Sequence, residues 1–196
     1  MQANREPAVA VNLALIPNTR WLEWCDAINA LLPEGANNLV FGETSVPHVT
    51  LAMGVVPLAR LKELYTALPT VPEDLRLLPD EVEPQTHPDH TTWWLKVTPT
   101  EELLALQTEV ARVLADFHTG PCTVDHFAGE DISDRAVAYV NDFANAEYAP
   151  HITLGFGERL PILPGMPATS KARLEAWHLG PHCTCFGRLW KGHLKK

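Results

Sequence analysis

The chain has 196 residues, 46% hydrophobic and 20% charged, with a net charge of −9 when His is neutral. That length and balance suit a single globular domain, 1–196, with ample material for a core. No apolar run reaches the roughly 18–20 residues a membrane-spanning helix demands, and Met1 to Pro7 lacks a secretory-signal pattern. Residues 8–16 (AVAVNLALI) alternate as a strand, with Val9, Val11, Leu13 and Leu15 on one face and Ala10, Asn12 and Ala14 on the other. Pro17 breaks it, and Asn18 can cap a helix carrying Trp21, Trp24, Cys25, Ile28, Leu31 and Leu32 at helical spacing. Pro33-Glu34-Gly35 is expected to stop that helix. Residues 47–56 (PHVTLAMGVV) read as a strand, and Leu58, Leu61, Leu64, Tyr65 and Leu68 mark a second helix. The stretch 69–90 is rich in Pro and Asp, with one short strand near Leu75–Leu78.

The same order then recurs. Residues 91–98 (TTWWLKVT) form a strand ending at Pro99, and Thr100 caps a long helix with Glu101 and Glu102 in its first turn. Its stripe is Leu103, Leu106, Val110, Val113, Leu114 and Phe117, with Gly120 as the stop. A long acidic connection, 121–149, leads to the strand PHITLGFG at 150–157. Loops of that length are often functional, which marks it as a candidate lid. Residues 172–194 read as a hairpin turning at Gly180-Pro181. A strand–helix–strand unit used twice predicts an α+β class: a bilobal, duplicated fold with two mainly antiparallel sheets, flanked by helices around a central groove.

The four cysteines, Cys25, Cys122, Cys183 and Cys185, lack disulfide-framework spacing, so a reducing, cytoplasmic location is expected. Cys183 and Cys185, beside His182, have no second pair of the kind zinc sites use, and read as same-face strand residues.

Pro-His-x-Thr-Leu-x-x-Gly occurs at 47–54 and again at 150–157, in equivalent places of the two halves. A lone His on a strand is more often structural; two matched copies on matched strands point to a shared site. Strand period places His48, Thr50, Ala52 and Gly54 on one face, opposite Val49, Leu51 and Met53. It likewise places His151, Thr153, Gly155 and Gly157 opposite Ile152, Leu154 and Phe156, and the small residues beyond each Thr leave room for a ligand. A neutral imidazole can take a proton from an attacking oxygen while an imidazolium gives one to a leaving oxygen, and an unperturbed pKa near 6.5 permits both states. Threonine hydroxyls can hold the non-bridging oxygens of a phosphate. The scheme requires no metal and no cofactor.

His48-Val49-Thr50-Leu51 and His151-Ile152-Thr153-Leu154 resemble the paired HxTx signatures of the 2H phosphoesterase superfamily. Its members include bacterial 2′–5′ RNA ligase-like proteins, plant and yeast cyclic phosphodiesterases, and phage enzymes that degrade cyclic-oligonucleotide signals. The resemblance covers nearly the whole chain in element order. It implies both motifs lining one groove and cofactor-free opening of a 2′,3′-cyclic phosphate, or cleavage of a 2′–5′ or 3′–5′ diester. It also implies that His151 activates water while His48 acts as the acid. Some bacterial members carry an arginine shortly after the second motif; here the segment reads Gly155-Phe156-Gly157-Glu158-Arg159, and Arg159 sits late.

Aligning Ile16-Pro17 with Thr98-Pro99 matches Asn12 and Ala14 with Trp94 and Lys96. If this set faces the groove, Trp94 can stack a base and Lys96 can attract phosphate; otherwise Trp94 covers a helix and Lys96 is a solvated charge. Tyr148, three residues before His151, is a further candidate for the border. His87, His90, His118, His126, His178, His182 and His193 are expected at the surface or in loops. The expected partner is a nucleotide or short oligonucleotide bound by a monomer. Long RNA is disfavoured, because its affinity draws on a basic face and this chain has no Lys or Arg run beyond Lys195–Lys196. The alternatives are a hydrolase of cyclic-oligonucleotide or cyclic-phosphate ADP-ribose signals, a nucleotide-binding sensor, and a metal hydrolase using the remaining histidines.

Overall fold

The computed structural model describes residues 6–32, 39–42, 45–87, 90–163 and 165–192. In chain order they form β1 (Ala8–Pro17), α1 (Thr19–Asn29), β2 (Val49–Pro57), α2 (Leu61–Ala67), β3 (Pro79–Thr86) and β4 (Thr91–Val97). There follow α3 (Glu101–Ala115), α4 (Asp134–Asp142), β5 (His151–Phe156), β6 (Ala172–Leu179) and β7 (Cys185–Lys191). The expected stop at Pro33-Glu34-Gly35, together with His193 and Lys195–Lys196, lies outside the described residues.

The strands make two antiparallel sheets, ordered β2-β1-β6-β7 and β3-β4-β5, so the class is α+β. Both expected caps form: Asn18 Oδ1 accepts from Trp21 N at 3.1 Å, and Thr100 Oγ1 accepts from Leu103 N at 3.3 Å. Each satisfies a first-turn N–H that the helix itself leaves without a partner. The apolar sides of β1, β2, β4 and β5 join Trp21, Ile28, Leu103 and Val110 in one core. The packing is reciprocal: α3, which follows β4, lies against β2, while α1, which follows β1, lies against β5.

Four expectations need correction. Residues 79–86 form β3, an edge strand whose Asp80, Glu81, Glu83 and Pro84 hide the alternation a buried strand shows; charge and proline are how exposed edges resist further pairing. Leu75–Leu78 contributes only an isolated bridge, Leu77 to Ser170. The 121–149 connection contains α4, capped by Ser133 Oγ accepting from Ala136 N, and buries Ala136 and Val140 against Met53 and Val55. Cys183 sits in the Pro181–Cys183 turn and only Cys185 enters β7, so the two are not strand neighbours. Smaller departures are Leu31 and Leu58, which are exposed, and α3, which ends at Ala115 before Gly120 is reached. Among the described residues no helix is long and apolar enough to cross a membrane.

Candidate functional site

Both motif strands share one irregularity. In β2, Thr50 pairs with Ala14 and Ala52 with Leu13, leaving Leu51 as the extra residue of a β-bulge. In β5, Thr153 pairs with Trp94 and Gly155 with Trp93, leaving Leu154 as the extra residue. A bulge frees a carbonyl from the ladder, and a buried carbonyl needs another donor. Gln107 of α3 donates to Leu51 O at 3.3 Å, and Asn29 of α1 donates to Leu154 O at 2.8 Å. Asn29 also donates to Leu39 O at 2.8 Å, tying the approach to His48 onto α1. Gly155 adopts φ 144°, a conformation suited to glycine.

The bulges change which side chains share a face. Beyond each one the alternation inverts, so Ala52 joins the core with Leu13, while Met53 and Phe156 turn toward the side that carries the histidines. The expectation that Met53 and Phe156 lie on the faces opposite the histidines is therefore overturned. Gly54 does not open ligand space either; a Cβ there would meet His118 Nδ1 at 3.0 Å and Leu114 at 3.3 Å.

His48, Thr50, His151 and Thr153 all line one cavity of about 500 Å³. Each imidazole is held the same way: His48 Nδ1 lies 2.7 Å from Val46 O, and His151 Nδ1 lies 2.8 Å from Ala149 O. A carbonyl only accepts, so Nδ1 carries the hydrogen in both rings and Nε2 is left for a ligand. Burial pushes the His48 pKa below 6.5 against the opposing pull of the Val46 carbonyl. Burial also takes His151 down to about 4; the Ala149 carbonyl resists, and the neighbouring His48 adds a like-charge contribution that lowers it further.

No family model and no curated protein matches the chain.

Trp94 lines the same cavity and stacks on His151, ring centroids 3.6 Å apart and planes 14° from parallel. Asn12 is not at the cavity. It is fully buried, and its Nδ2 donates to Thr50 Oγ1 at 3.3 Å, so it reaches the site only through that hydroxyl. Having accepted from Asn12, the Thr50 hydroxyl keeps its own hydrogen to give to an acceptor in the cavity. Lys96 pairs with His151 across the ladder, yet its ammonium turns to Glu81 at 3.2 Å and Glu83 at 3.5 Å on β3. The Glu81 hydrogen bond, followed by the Glu83 charge, raises its pKa. Lys96 does not line the cavity, and the carboxylates of the edge strand β3 are the reason.

Tyr148 donates to Thr50 O at 3.1 Å, bridging the approach to β5 onto β2. Arg159 lies past the end of β5 and outside the cavity. The alignment of the halves also shifts. By ladder register, Asn12 corresponds to Thr92 and Ala14 to Trp94, two residues from the proline-based match. An even shift keeps each residue on its face, which is why Trp94 still points as expected.

Sequence reasoning missed much of the cavity wall. His87, His90 and His182 lie in connections between strands, as expected, yet all three line the cavity. His90 meets Phe156 edge-on at 5.1 Å, and Phe156 meets His182 at 5.0 Å. Arg135 of α4 donates to His87 Nδ1, and Tyr139 lines the cavity one turn further along, its pKa pushed up to about 12 by burial and by Cys183. The legible signal was Ser133 ahead of the apolar pair Ala136 and Val140, a capped amphipathic helix inside the presumed loop. Among the described residues no three His, Cys, Asp or Glu side chains are grouped to hold a metal ion.

Proposed function

We propose that the protein is a phosphodiesterase that cleaves a cyclic or 2′-linked phosphodiester of a nucleotide or short oligonucleotide by acid–base catalysis between His48 and His151. One observation carries this reading: two imidazoles, His48 just before β2 and His151 at the start of β5, line one cavity with two threonines, each with Nδ1 bound to the carbonyl two residues before it. In hydrolysis, water oxygen forms the new P–O bond as its proton passes to a neutral Nε2. The P–O bond to the leaving group breaks, and that oxygen takes a proton from the other ring's Nε2–H. We assign His151 as base and His48 as acid, following the resemblance. Thr50 and Thr153 hold the non-bridging oxygens, where donated hydrogen bonds stabilise developing charge.

We read the fold as two pseudo-symmetric lobes of one domain, facing each other across this site. The matched bulges at Leu51 and Leu154, the amide donors Gln107 and Asn29, and the reciprocal packing of α1 and α3 support it. The test is a substrate panel of 2′,3′-cyclic mononucleotides, 2′–5′ oligoadenylate and cyclic dinucleotides in excess EDTA, beside a H48A/H151A double variant. Turnover that survives EDTA and vanishes in the variant supports the reading. Absence of turnover on every member, or turnover that persists in the variant, refutes it.

A further inference from the structure

A second cavity, of about 370 Å³, abuts the first and shares Thr50, Met53, Trp94, Tyr139 and His151 with it. It lies between β2, α3 and residues 143–149, and its other walls include Leu51, Ala111, Leu114, Phe143 and Ala144. We infer that this cavity is a subsite for an uncharged, apolar or aromatic group esterified to the reacting phosphate, so that the preferred substrate carries a bulky group on each side of phosphorus. The inference rests on the phosphodiesterase reading and narrows its substrate class.

Three observations carry it. The first is position: the shared walls include one motif's hydroxyl and the other motif's imidazole, so a phosphate held between Thr50 and His151 has open space on both sides. A 2′,3′-cyclic mononucleotide has both ester oxygens on one ribose and fills one side only. A diester joining two nucleosides fills both.

The second is chemistry. Polar side chains in the wall already serve the backbone: Gln107 donates to Leu51 O, Tyr148 to Thr50 O, and His118 Nδ1 accepts from Val55 N. Asn141 both accepts from Cys122 N and donates to Cys122 O. What remains facing the space is largely hydrocarbon and aromatic carbon, the lining of a small-molecule pocket with few orienting polar groups.

The third is charge. Among the described residues the wall has no Lys or Arg, and its one carboxylate, exposed Glu147, repels an anion. A second phosphate is therefore disfavoured here, whereas a nucleobase or aryl ring is accepted. The larger cavity carries Asp142 too, but sets Arg135 and the imidazoles of His87, His90 and His182 beside it, and takes the more polar part.

The test separates binding from turnover. Binding of 2′–5′-linked adenylyl-adenosine and of adenosine 2′,3′-cyclic phosphate to the H48A chain is measured by calorimetry. The dinucleoside is expected to bind about tenfold tighter or better, the gain of seating one more base on apolar and aromatic walls. Filling the space with Ala111→Phe, or from the opposite wall with Ala144→Phe, is expected to erase that preference; two variants guard against one failing to fold. Equal affinity for both probes, a preference that survives both fillings, or binding of neither overturns the subsite. Turnover of the same probes by the wild-type chain, compared with H48A/H151A, reads the catalytic assignment separately, so a failed subsite is distinguished from a failed phosphodiesterase reading.

Discussion

The indole of Trp94 lies flat on the imidazole of His151, centroids 3.6 Å apart, on strands paired directly in the second sheet. Stacking of this kind fixes the ring plane, as the proposed role of His151 as base requires, since a base must meet its proton along one line. One face of Trp94 is thereby occupied by protein, which makes it a positioning residue for His151. Trp94→Ala is expected to lower kcat about tenfold with little change in KM, since a loosened base costs rate rather than ground-state binding. Trp94→Phe, which keeps a flat ring, should recover most of the loss. A raised KM at unchanged kcat would instead mean that Trp94 stacks substrate.

Asn12 acts one bond further back. Its Nδ2 donates to Thr50 Oγ1 at 3.3 Å, and its Oδ1 is buried without a hydrogen-bond partner. Asn12→Ala is expected to cost about 1 kcal/mol of stability, because the bond to Thr50 and a weaker one to Cys185 Sγ at 3.8 Å are lost while an unsatisfied group is removed with them. The larger effect should be on kcat, as the Thr50 hydroxyl becomes free to turn away from the phosphate. Chemical denaturation and steady-state kinetics on one preparation separate the two, and a variant with normal kcat would show that Asn12 is merely core.

The pH profile follows from the two lowered histidines. The proposed acid–base scheme needs one ring protonated and one neutral, and both hold their protons less well than the ordinary 6.5, His151 down to about 4. On the proposed mechanism, the imidazolium is lost as pH rises through a lowered pKa, before the ordinary 6.5 is reached, and the neutral base is lost as pH falls toward 4. The kcat/KM profile of the free enzyme should therefore be a bell centred on the acid side of neutrality, its limbs belonging to the pair rather than to either ring. A rate that keeps rising through pH 8 would contradict this. Stability has the matching sign: the unfolded chain takes up these protons near 6.5 and the folded chain only lower, so Tm should fall as pH drops from 6.5 toward 4.

Asn29 is the structural keystone of the second motif strand. It is 7% exposed and holds Leu39 O and Leu154 O together. Asn29→Ala leaves two carbonyls short of a donor and is expected to cost about 2–4 kcal/mol, at roughly 1–3 for each unsatisfied group less what relaxation or entering water restores. Urea unfolding measures it. The half-buried Gln107, with a single 3.3 Å bond to Leu51 O, should cost less when changed to Ala.

Much of this was written in the sequence because duplicated motifs, caps and helical stripes are local signals. Thr100 ahead of two glutamates, or the Leu103 to Phe117 stripe, needs no tertiary knowledge. What stayed hidden was non-local. The bulges at Leu51 and Leu154 exist only in the pairing of two strands, and they alone bring Met53 and Phe156 around to the histidines. β3 looked like loop because an exposed edge is allowed charge and proline. The sequence leaves Lys96 open between a phosphate contact and a solvated charge, and only the carboxylates of β3 decide between them. His87, His90 and His182 carry no spacing that links them, and only folding gathers them around Phe156.

The most direct measurement compares H48A, H151A and the double variant on whichever diester the wild-type chain cleaves in EDTA. Two rings passing protons in one reaction should each be indispensable. Either single change is then expected to lower kcat by about 10²–10⁴-fold, with the double scarcely worse than the poorer single. A single variant that retains the wild-type rate would contradict the shared role of His48 and His151.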